Sequence, residues 1–140
     1  MAGASTSGAP AASASARHSR HAARSDRVAS RLRPENGTIA AAWGGVTSIV
    51  DFAVQRYGES VRDCLDTWFA KADGKCAIDY GFHQIIGGVD DDSLKAMDYL
   101  VDNEGITSFK LFMAYPGVFY SDDGQILRAM QNAGDSGAMI

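Results

Sequence analysis

Lys110 lies inside "SFKLFMAY", residues 108–115, where every neighbour except Ser108 is apolar or aromatic. An ammonium taken out of water is expensive unless it is paired or neutralised, so a lysine in a strand-like run needs an account. Three chemistries fit. The head group can snorkel to a strand end or pair with an acid such as Asp51 or Asp79. It can act as a Schiff-base amine. Or, neutralised by burial, it can add CO2 with loss of a proton, giving a carbamate whose oxygens can bridge two metal ions. The residues by themselves leave these open. Strand alternation predicts Ser108, Lys110 and Phe112 on one face and Phe109, Leu111 and Met113 on the other.

The elements that must carry this lysine follow a regular order. "ENGTIAAAWGG" predicts a short helix, with Asn36 as its cap and Gly44-Gly45 at its end. "VTSIVDFAV", residues 46–54, is β-branched and apolar, and predicts a strand. "GESVRDCLDTWFAKADG" follows as a helix whose Val61, Leu65, Trp68 and Phe69 form one apolar face. "CAIDYGFHQII", 76–86, predicts the next strand. "DDDSLKAMDYLVDNEG" predicts a helix closed by Gly105, with acids at its start. "ITSFKLFMA" reads as a third strand and "DDGQILRAMQNAG" as a further helix, opened by Asp122 or Asp123 and ended by Gly134. "GAMI" begins another strand.

Strands alternating with helices over short connections argue for an α/β fold with a parallel sheet. An open doubly wound sheet and a (β/α)8 barrel are the two options. No glycine-rich phosphate loop follows a strand, so the barrel is favoured, and Lys110 then points inward near the C-terminal mouth. An eight-fold barrel needs roughly 200 residues or more, so residues 35–140 supply a partial TIM-type barrel.

Three segments, "GTIAAAWGGVTSIVDFA", "IDYGFH" and "GITSFKLFMAYPGVF", resemble the D-hydantoinases and dihydropyrimidinases, the cyclic-amide hydrolases of the amidohydrolase superfamily. The resemblance runs from about Glu35 to Ile140. It implies that Lys110 is the family's carboxylated, metal-bridging lysine (N6-carboxylysine). It implies that Tyr115 hydrogen-bonds the substrate and stabilises the developing oxyanion, a catalytic role, and that Phe112, Tyr115 and Phe119 shape the substrate pocket. Core packing is the plainer role for those aromatics. The resemblance also implies two zinc ions, a small hydantoin or dihydropyrimidine substrate and a homotetramer for the intact family, while the sparse cysteines are read as those of a cytoplasmic protein. The family's ligand histidines lie elsewhere, so His83 is expected to be structural or to support a ligand. Asp51 is a candidate acceptor behind a ligand.

The resemblance stops short of a full metal site. The family's HxH pair belongs upstream of "GTIAAA", where this chain has "HSRH", with the wrong spacing. The later histidines and the aspartate base lie beyond "SGAMI". One candidate ligand stands where the family needs six, so the chain as given is expected to bind no zinc and to be inactive. Two other classes remain: a non-catalytic interaction fragment of the same fold, and a Schiff-base lysine barrel enzyme.

Composition separates the chain at about residue 34. Residues 1–34 hold ten Ala, seven Ser and six Arg, lack Ile, Phe, Tyr, Trp and Lys, and carry a net charge of +5. Residues 35–140 carry −9, within a whole-chain charge of −4. The first part is too poor in apolar surface to offset the entropy of ordering and is expected to be disordered. It has no apolar core of a signal peptide, and its composition is that of a GC-rich gene read out of frame. His18 and His21 within it are expected to be incidental. Neither nucleic acid nor a membrane is an expected partner, and Cys64 and Cys76 are expected to be reduced.

Overall fold

The computed structural model describes residues 33–140. The expectations for the basic tail, including His18 and His21, lie outside the described residues. The elements run α1 (Pro34–Trp43), β1 (Ser48–Val54), α2 (Val61–Ala72), β2 (Asp79–Ile85), α3 (Asp91–Glu104), β3 (Phe109–Lys110) and α4 (Asp123–Ser136). The three strands form one parallel sheet in the order β1-β2-β3. β1 and β2 pair over seven residues, from Ser48 opposite Asp79 to Val54 opposite Ile85. β3 continues the sheet through Gln84 opposite Phe109 and Ile85 opposite Lys110.

Each helix carries its own start and stop signals. Asp90 caps α3, its carboxylate accepting the Ser93 N–H at 2.7 Å. Asp122 opens α4 with a reciprocal capping box: its side chain accepts from Gln125 N at 2.8 Å, and Gln125 Oε1 accepts from Asp122 N at 3.0 Å. Gly105 and Gly137 end α3 and α4 in the left-handed conformation, which costs a glycine least. Thr38 fixes α1 to the approach of β2. Its buried hydroxyl donates to Pro34 O at 2.6 Å and accepts the Ala77 N–H at 3.0 Å.

The pleat divides the sheet into two faces. Ala53, Phe82, Ile86 and Phe109 point to the helices and join Val61, Cys64 and Leu65 of α2, Met97 and Leu100 of α3, and Ala129 and Ala133 of α4 in one buried core. Trp68 and Phe69, on the predicted α2 face, pack against it. Burial also pushes the Cys64 thiol above its ordinary pKa, which keeps it protonated and inert. Gln84 is the polar member of this face: its Nε2 donates to Ile85 O at 2.8 Å. At the strand ends, Gln55 Oε1 accepts the Gly87 N–H at 2.7 Å. A Cβ on Gly87 would come within 3.1 Å of the Gln55 carbonyl, so this close approach favours glycine.

Several boundaries differ from the sequence expectation, each for a local reason. α1 starts at Pro34 with Arg33 as its cap residue, so Asn36 is inside the helix. Gly134 also lies inside a helix, because the stop falls at Gly137. β3 is two residues long, against a predicted strand over 106–114, because the chain turns away from β2 after Lys110. Met113, predicted on the helix face, is therefore 81% exposed. From "GAMI", Met139 alone pairs, as a parallel bridge to Ser108. Cys64 and Cys76 are both free thiols.

Three substitutions check this account. Leu65→Ala, in the buried core, is expected to cost about 2–5 kcal/mol in urea unfolding. Leu127→Ala, on the exposed side of α4, is expected to stay within about 0.5 kcal/mol. Asp90→Ala is expected to cost about 1 kcal/mol at neutral pH. Hydrogen bonds from the Ser93 backbone and side chain lower the Asp90 pKa. Its contribution is therefore complete above the ordinary carboxylate pKa and disappears as pH falls through the lowered value. Wild type and Asp90→Ala should converge in stability at acid pH.

Candidate functional site

The register decides what surrounds Lys110. Paired residues in neighbouring parallel strands share a face, so Phe52 and His83, and Ile85 and Lys110, lie opposite the helix core. Lys110 pairs with the last residue of β2, which places it at the C-terminal end of the sheet. Its Nζ sits 4.4 Å from the centroid of the Phe52 ring and 4.7 Å from that of Phe112. A cation over two aromatic faces gains roughly 0.5–1 kcal/mol per face when exposed, and more when dry. Lys110 is half-buried.

His83 stands beside this group. Its ring lies 5.3 Å from Phe52, and its Nδ1 is hydrogen-bonded to Ser108 Oγ, two residues before the lysine. The acids named as partners for Lys110 lie elsewhere. Asp51 falls on the other face of β1 and accepts the Phe52 N–H at 2.7 Å. Asp79 is at the opposite end of β2. The ion pairs among the described residues are Lys95–Asp92 and Arg128–Asp91.

Beyond β3 the aromatics gather. Phe112 stacks on Phe119 at 5.2 Å and meets Tyr115 edge-on at 5.8 Å. Tyr115 has φ of 63°, the one described non-glycine residue at positive φ, and its carbonyl accepts the N–H groups of Val118, Phe119 and Tyr120. Such a conformation costs of order 1 kcal/mol and persists where surrounding contacts enforce it. The Ser121 N–H donates to Phe112 O at 2.8 Å and closes the loop. Lys110, Phe112, Tyr115 and Phe119 thus form one contiguous group, with Tyr115 about half exposed.

Phe52 is the member that sequence reading missed. It belongs to a strand some sixty residues upstream, and only strand pairing brings it to Lys110. Alternation within "SIVDFAV" places it on one face or the other, but no local signal says which neighbour it meets. Two open depressions, one lined by Asp90, Asp91, Asp92 and Arg128 and one by Ile39, Trp43 and Ala77, include none of these residues.

A two-zinc centre does not fit the described residues alone. They contain no group of three His, Cys, Asp or Glu side chains able to hold a metal ion. Lys110 Nζ faces two carbon rings, and one lysine cannot hold two zinc ions.

No family model matches the chain. Individual proteins do. A D-hydantoinase of Streptomyces coelicolor is 67% identical over 106 residues, which is 76% of this chain and 22% of the relative. A D-hydantoinase of Geobacillus stearothermophilus is 48% identical over the same length, and a dihydropyrimidinase of Rattus norvegicus 36% over 103 residues. Among solved structures, a dihydropyrimidinase from Brevibacillus agri superposes with a TM-score of 0.73 at 45% identity, covering 76% of this chain and 23% of that one. A D-hydantoinase crystal structure gives 0.71 at 47%. The chain therefore spans about a fifth of the length of the relatives it matches. Identity of 67% over 106 residues, with superposition on solved relatives at TM-scores of 0.71 and 0.73, places the chain in the D-hydantoinase/dihydropyrimidinase family.

Proposed function

We propose that residues 35–140 form a sector of a (β/α)8 barrel whose complete form hydrolyses cyclic amides of the hydantoin or dihydropyrimidine type. The observation that carries this reading is Lys110. It stands at the C-terminal end of a parallel sheet, on the face away from the helices, within a segment shared with proteins named for that activity. In barrel enzymes this end is where the chemistry sits.

Each residue then has a role in that reaction. In the complete barrel Lys110, carboxylated on Nζ, would offer carbamate oxygens to metal ions whose other ligands would come from outside the described residues, and such ions would supply the activated water. Ring opening builds negative charge on the carbonyl oxygen, and the Tyr115 hydroxyl donates a hydrogen bond to it. The enforced backbone at Tyr115 supports this, because it fixes where the half-exposed ring emerges from the loop. Phe112 and Phe119, stacked beside it, form an apolar wall for the ring substituent. The complete family assembly is proposed to be a cytoplasmic homotetramer. No described helix is long and apolar enough to cross a membrane. The 140-residue chain by itself is proposed to be inactive.

A chimera tests the roles. Residues 35–140 replace the matching segment of the Streptomyces coelicolor D-hydantoinase, and hydantoin opening is measured. Activity is expected to persist. Lys110→Ala in the chimera is expected to lower kcat at least about a thousandfold, some 4 kcal/mol of barrier. Tyr115→Phe is expected to lower it about 10²–10³-fold, the usual cost of one lost oxyanion donor. A Lys110→Ala chimera as active as its parent would sink the assignment. Separately, the purified 140-residue chain with zinc and bicarbonate is expected to leave dihydrouracil intact, and turnover above the uncatalysed background would refute its inactivity.

A further inference from the structure

We propose that Phe52 is a positioning residue for Lys110. Together with Phe112 it holds the ammonium group against the open face of the sheet, and the His83–Ser108 hydrogen bond holds Phe52 in place. The inference deepens the reading of Lys110 given above and rests on it for its functional meaning, though its geometry stands without it.

Three observations carry it. Lys110 Nζ lies between two aromatic faces, at 4.4 and 4.7 Å, and no carboxylate pairs with it among the described ion pairs. Phe52 is the cross-strand partner of His83, and their rings are 5.3 Å apart. His83 is tied through Nδ1 to Ser108, two residues before Lys110 and just ahead of β3. The four side chains thus form a closed circuit across β1, β2 and β3. The face of an aromatic ring is electron-rich and attracts a cation.

The test uses the full 140-residue chain in bicarbonate-free buffer, with lysine labelled at Cε and observed by two-dimensional NMR. Lys71, 4.2 Å over the Trp68 ring, and the exposed Lys95 supply internal references for stacked and free lysines. The Lys110 ε protons are expected upfield of those of Lys95. Phe52→Tyr, which keeps an aromatic face, should retain the shift. Phe52→Leu, which keeps the bulk and loses the face, should lose most of it with an unchanged circular dichroism spectrum. Ser108→Ala should move it part of the way. A folded Phe52→Leu chain with the Lys110 resonance unmoved overturns the proposal. If that variant does not fold, the wild-type spectrum decides, and a Lys110 resonance coincident with that of Lys95 overturns it. The experiment requires neither metal nor CO2. An inactive chimera with a shifted Lys110 resonance would therefore refute the hydrolase reading and leave the positioning role standing.

Discussion

Seven-residue parallel pairing of β1 with β2 is the constraint from which the rest of the structure follows. It commits every second residue of both strands to the helix side and the remainder to the opposite face. A slip of one residue would carry Ala53 and Phe82 out of the core and put Phe52 and His83 into it. The apolar residues of α2, α3 and α4 lock the register by burying one face. The other face is left to hold a lysine, a histidine and a serine without opposing the packing energy.

This division explains how a cation can sit in so apolar a segment. Lys110 does not enter the helix-side core, where an ammonium would lose its hydration with nothing in return. It lies on the opposite face, half-buried, with ring faces supplying part of what water supplied. The same face and its margins expose much apolar surface. Val50 is 55% exposed and Met139 66%. Unpaired strand edges and uncovered apolar residues of this kind are surfaces on which further chain or another protein packs.

Much of the architecture was legible because local rules agree with one another. The α2 stripe, the acid-led helix starts and the glycine stop of α3 are all short-range signals, and each sits where expected. The misreadings have a common origin. "ITSFKLFMA" has strand composition throughout, yet a strand lasts only as long as it has a partner, and β3 loses its partner after Lys110. Gly134 looked like a helix stop because glycine can stop a helix, but the α4 stop fell to Gly137. At α1, a proline at the first helical position outweighed an asparagine two residues later.

For the site, the sequence by itself determined that Phe109 and Lys110 point to opposite faces, Phe109 into the core, since alternation along a strand is a property of the local backbone. It also determined that Phe112, Tyr115 and Phe119 lie close enough in the chain to gather in one loop. The tertiary structure alone decided that Phe52 and His83 stand beside that lysine, and that Asp51 and Asp79 do not. Those neighbours come from strands joined through whole helices. Which of their side chains meet depends on the register of hydrogen bonds between strands, and that register is set by how the buried faces pack together.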